Sequence, residues 1–266
     1  MLCLLGYTYA IPDLIVERSV SMSDLSKAEQ KRLAREEELI DLAVAIIAEQ
    51  GPGSLTLEKL TARSDYSKGT IYNHFINKED CLTALCGRAV SSIMQLFEHA
   101  MEFDGVLREK ALALHYSYQL YSLLHPALFQ VVLTSKSPGV REHSSEKRVR
   151  QMDTLELEIN EFSDAMFRQA LAQGEIVNSS VSVETMTFAN WAMSFGSLAL
   201  ANSAADATAI SRLNDNNLLL NNVNLLLDGI GWKPLSAEQD YFQTWQRIAR
   251  HFEPFHKLVS NNSNND

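Results

Sequence analysis

Apolar residues recur along this chain at three- and four-residue intervals, and no stretch alternates long enough to predict a strand. Over residues 26–50, Leu33, Leu39, Ile40, Ala43, Val44, Ile46 and Ile47 fall on one side and charge on the other. That pattern predicts an amphipathic helix, stopped by Gly51-Pro52-Gly53. Thr56 stands where a cap is needed for a short second helix with Leu57 and Leu60 inward, which gives way near Ser64-Asp65. Ser67 is placed to cap a third, carrying Ile71, Tyr72 and Phe75. Asn77 is placed to cap a fourth, with Asp80 as its capping-box-like partner, running through Leu82, Leu85, Val90, Ile93, Met94 and Phe97 to Met101.

Beyond Gly105 the helical period continues over 106–124, where His125-Pro126 ends it, and over a short apolar piece at 128–134. A long helix is predicted over 141–173, ended by Gly174, then a strongly apolar one over 183–201. A loop or loose turn over 204–217 precedes helices at 218–227 and 237–251. The predicted fold is all-α: a small helix-turn-helix unit over 26–80, then a larger helical domain over 81–257. Residues 1–25 read as an N-terminal extension and 258–266 as a polar tail, both predicted to be disordered. Met22 offers an alternative start.

Composition sharpens this picture. Of 266 residues, 46% are hydrophobic and 21% charged, as in ordinary globular proteins, and only 11 Gly and 6 Pro interrupt helices. The net charge of −10 argues against a protein that coats nucleic acid. A modular binder needs positive charge only where it faces the duplex. Cys3, Cys81 and Cys86 have neither metal-ligand spacing nor an even disulfide framework, so buried reduced thiols are expected. No apolar run reaches the ~18 residues of a membrane span, and Pro12-Asp13 interrupt the apolar start, so a cytoplasmic location is expected. Nucleophile-elbow, P-loop, zinc-protease and dinucleotide motifs are all missing, which predicts no catalytic activity, no cofactor and no metal.

The chemistry concentrates at 56–81. A recognition helix needs small or polar residues at its start so that its backbone can approach a duplex, and Ser67-Lys68-Gly69-Thr70 meets that need. Tyr72 and His74 offer donors to phosphates, Lys78 opens a second phosphate-facing helix, and Lys68, Thr70 and Asn73 are candidate base readers. Thr56, Leu60, Ser67 and the run Gly69-Thr70-Ile71-Tyr72-Asn73-His74-Phe75-Ile76-Asn77-Lys78-Glu79 together resemble the signature of TetR-family transcriptional regulators, over residues 33–82. The chain departs from that family at the turn, where Ser64-Asp65-Tyr66 replaces the usual Ala-Gly-Val, and at Thr61, usually Ala.

The resemblance implies a three-helix DNA-binding domain, a larger ligand-binding and dimerisation domain, and a homodimeric repressor on palindromic DNA. It makes Thr56, Tyr72, His74 and Lys78 phosphate contacts, and Lys68, Gly69, Thr70 and Asn73 base-facing positions, with Ser67 at the helix start. In the larger domain, His115, Tyr116, Phe162, Met166, Asn190, Trp191 and Phe195 are candidate pocket residues for a small apolar effector, with His115 or Asn190 as polar anchors. A protein partner in place of a small molecule is the alternative effector. Residues 183–201, paired with either 218–227 or 237–251, are the candidate dimer face.

Overall fold

The computed structural model describes residues 26–177, 180–213, 215 and 217–256; the predicted N-terminal extension and polar tail lie outside them. The first helix, α1 (Lys27–Gln50), starts from a capping box in which the Glu29 N–H donates to Ser26 Oγ and the Ser26 N–H donates to Glu29. It ends at Gly51, whose φ of +80° is a conformation that side chains disfavour. Thr56 and Ser67 cap α2 (Leu57–Arg63) and α3 (Lys68–Tyr72) as expected, each accepting from the N–H three residues on. The third helix is shorter than its apolar pattern: Phe75 lies beyond it, in the turn leading to α4 (Lys78–Met101).

Leu39, Ile46, Leu60, Ile71 and Phe75 close the core of the small unit, which runs without a break through α4 into the larger domain. There α5 (Leu107–Leu124), α6 (Pro126–Ser135), α8 (Glu146–Ala172) and α9 (Val183–Ser203) pack around one another and α4. Two later helices, α11 (Leu218–Gly229) and α12 (Tyr241–His251), pack on α9 and α5 respectively. Short helices α7 (Pro138–His143) and α10 (Thr208–Ser211) occupy stretches in which sequence had placed the start of a long helix and a loop.

The break before α8 has a clear cause. Ser144 and Ser145 take extended backbone angles, and Ser145 Oγ caps α8 by accepting from the Arg148 N–H. Asp80, buried in the first turn of α4, accepts from both the Ser145 N–H (2.9 Å) and hydroxyl (2.7 Å). Asp80 therefore holds the start of α8 and does not complete a capping box with Asn77, its other contact being the Ile76 N–H.

Among the described residues there is no named strand, only an isolated bridge between Ile176 and Trp232. None of their helices is long and apolar enough to cross a membrane. Cys81 and Cys86 are buried, and burial pushes both thiols up, Cys81 to about 12.

Candidate functional site

The surface offered by α2 and α3 is small and polar. Ser67, Lys68, Gly69, Tyr72, Asn73 and Lys78 are exposed, and Thr56 and Thr70 are partly so. Ser67 Oγ lies 3.0 Å from Thr70 Oγ1, and Lys68 Nζ sits 5.4 Å from the centroid of the Tyr72 ring. Glu58, on α2, joins this surface with its carboxylate 3.5 Å from the Tyr72 hydroxyl. Its pKa is lowered, first by its own backbone N–H, then by Thr56 and the charge of Lys68, against a small burial penalty. An approaching phosphate therefore meets two of its candidate donors already facing a carboxylate. In the turn, Tyr66 leans onto α1, donating to Glu38 and stacking under Arg35 at 5.3 Å, so the bulky ring sits at the rim of the small core.

His74 does not fit the expected phosphate role. Its side chain is only 2% exposed, and Nδ1 lies 3.3 Å from Glu36 of α1. Glu36 in turn pairs with Arg148 of α8 at 2.6 Å, and the Arg148 guanidinium lies over the Phe75 ring at 5.5 Å. Burial alone would raise the Glu36 carboxyl. The charge and hydrogen bond of Arg148, with help from His74, outweigh that and leave it lowered. Asn77 adds a bond from its side-chain amide to the His143 carbonyl (2.7 Å), and Thr83 shares a hydrogen bond with Ser144 at 2.7 Å. Sequence reasoning missed this whole junction.

A cavity of about 400 Å³ lies between α4, α5, α6, α8 and α9. Of the expected pocket residues, His115, Met166, Asn190 and Trp191 line it. Tyr116 does not: it lies one residue round α5 and packs on α12, its hydroxyl 2.7 Å from His256 and its ring edge-on to Trp245. Phe162 stacks on Phe97, and Phe195 on Phe129, so both buttress the wall without forming its lining. The wall also contains Phe97, Tyr118, Tyr121, Phe167 and Ser194. The stripe Leu114, His115, Tyr118, Tyr121 on α5 has the helical spacing that could have found two of these.

His115 is enclosed, with Nδ1 2.6 Å from Ser194 Oγ and Nε2 3.1 Å from Asn190 Oδ1. The Asn190 amide N–H₂ donates to the Met186 carbonyl, which fixes its oxygen toward His115. Nε2 therefore carries the proton, and Nδ1 accepts from Ser194. Burial depresses the imidazole to about 4, the Asn190 bond opposing, so it is neutral at physiological pH.

Comparisons with known proteins agree with the small domain and its setting. The family of bacterial regulatory proteins, tetR family, matches residues 39–85. A fatty acid metabolism regulator protein of Bacillus subtilis is 29% identical over 139 residues, 52% of this chain and 69% of that protein. Two solved structures share the fold. One is a TetR-family bacterial regulatory protein from Rhodococcus RHA1, with TM-score 0.55 and 16% identity, covering 78% of this chain and 99% of that one. The other is the fatty acid degradation regulator FadR from Bacillus halodurans, with TM-score 0.56 and 18% identity, covering 73% and 95%. With its helix-turn-helix at 39–85 followed by a helical domain of the same architecture, the chain is a DNA-binding transcriptional regulator of the TetR family.

Proposed function

We propose that the protein is a cytoplasmic homodimeric repressor of a palindromic operator, released when a small, largely apolar molecule enters the cavity. The observation that carries this is the placement of α8. Its first turn holds Glu36 and Asp80, and its middle, from Glu156 to Phe167, lines the cavity. One helix thus touches both the DNA-reading unit and the ligand space, eight residues or ~12 Å apart along its axis at their nearest. The name of the Bacillus subtilis relative agrees with an apolar effector.

For the dimer face, α11 is the partner of α9. Leu200 on α9 and Leu225 on α11 are 53% and 74% exposed, while α12 buries Tyr241, Thr244 and Ile248. Two copies joined through α9 and α11 form a four-helix face, and the recognition elements then address half-sites about 34–36 Å apart.

Thr56, Tyr72 and Lys78 act as phosphate contacts; Lys68, Gly69, Thr70 and Asn73 face bases, with Ser67 fixing the start of the recognition helix. His74 supports this surface from beneath. Selection of bound sequences from a random duplex library, followed by salt titrations, tests the assignment. Lys78→Ala should weaken binding to every sequence and lower the salt slope by about one, whereas Lys68→Ala or Thr70→Ala should change the selected sequence. Unchanged affinity and selection in the combined Lys68, Thr70, Tyr72 and Lys78 alanine variant would sink it.

A further inference from the structure

We propose that the cavity takes an uncharged, mostly apolar ligand bearing a carbonyl-type acceptor, and that the Tyr121 hydroxyl holds that acceptor. This rests on the reading of the cavity as the effector site. The charge class follows from the lining. Lys136 is its cation, and Lys136 is committed to Glu156, with its ammonium 5.9 Å from the centre of the Trp191 ring. Glu156, Asp164 and Glu184 are carboxylates of the same lining. An anionic headgroup would meet three carboxylates there and an ammonium already paired. His115 offers no charge either: it is neutral, and both ring nitrogens are engaged by Ser194 and Asn190.

The anchor follows from what is left unpaired. Tyr118 accepts from the Trp191 indole N–H at 3.3 Å. Tyr121, also in the wall and 1% exposed, has a hydroxyl with no hydrogen-bond partner among the described residues. Its phenol is pushed far above its usual range by burial, so it remains an O–H donor at any physiological pH. A buried donor without an acceptor weakens the fold, and a ligand oxygen reaching this wall removes that cost. Tyr121 stands six residues, ~9 Å, beyond His115 along α5. Ile93, Phe97 and Leu114 supply apolar wall for the rest of the molecule. A ketone, ester or thioester on a hydrocarbon body has this chemistry; a free carboxylate does not.

Three probes of equal chain length separate the possibilities: 2-nonanone, nonane and nonanoate, titrated calorimetrically into the full-length protein and into Tyr121→Phe at pH 7.5. The wild type should bind 2-nonanone about tenfold more tightly than nonane, the worth of one buried hydrogen bond. It should bind nonanoate more weakly than either. Tyr121→Phe should lose that tenfold for the ketone and keep nonane affinity unchanged, and the nonane titration serves as its control for an intact cavity. Its melting temperature without ligand should not fall, because only an unpaired hydroxyl is removed. Nonanoate binding as tight as the ketone's, or full ketone affinity in Tyr121→Phe, overturns the proposal while leaving the cavity as a ligand site. Binding of none of the three overturns the cavity reading, and the proposal with it.

Discussion

His115 is a buried imidazole that the folded protein keeps neutral down to about pH 4, while in the unfolded chain it titrates near 6.5. Between those values the unfolded chain binds more protons, so folding stability falls as pH drops through that window and is fully retained above it. From pH 7 to pH 5 this one group should cost about 2 kcal/mol. His125 adds in the same direction, through burial and then the Arg88 charge. Urea unfolding at the two pH values should show the loss in the wild type and a clearly smaller one in His115→Gln; an equal loss in both would refute the assignment. The residues of the DNA surface were legible in sequence because capping and exposure are local: Thr56 and Ser67 bond only three residues away. His74 was misread for the opposite reason. Its partner, Glu36, lies 38 residues earlier, and spacing within a short motif cannot tell an outward imidazole from one turned onto α1.

Among the elements, the long helices were readable from their apolar period, and their ends from Gly51, His125-Pro126 and Gly174. The division of the predicted 141–173 helix into α7 and α8 was not, because the break at Ser144-Ser145 is held by Asp80 and Thr83 on another helix. That junction makes a prediction of its own. Glu36 and Arg148 are 13% and 12% exposed, so removing either leaves the other poorly compensated. Glu36→Gln and Arg148→Gln should each destabilise the protein by ~2 kcal/mol. In a double-mutant cycle the pair should couple by more than ~1 kcal/mol, and additive losses would mean that the bridge does not tie the elements together. Arg148→Gln should also weaken DNA binding although it contacts no DNA, because His74 and Phe75 lose their backing.

For the molecule as a whole, the exposed apolar side chains of α9 and α11 predict self-association. Leu225→Arg should convert the dimer to monomer in analytical ultracentrifugation and lower operator affinity sharply, since two half-sites are then read independently. A variant that stays dimeric would move the interface off α11. The cavity itself was only half legible, since an apolar helix reads the same in sequence whether it faces a core or a void. His115 and Trp191 were found by residue type; Tyr116 and Phe195 were placed on the wrong side by the same reasoning.

The 27 residues of α8 serve the junction at one end and the cavity in the middle. A shared element obliges the two sites to be reciprocal: whatever factor a ligand takes from the affinity for DNA, DNA takes from the affinity for that ligand. A dissociation constant measured on free protein therefore overstates how readily a repressor already seated on its operator is removed. The effector concentration that clears an operator is set by that shared factor as much as by the fit of the cavity.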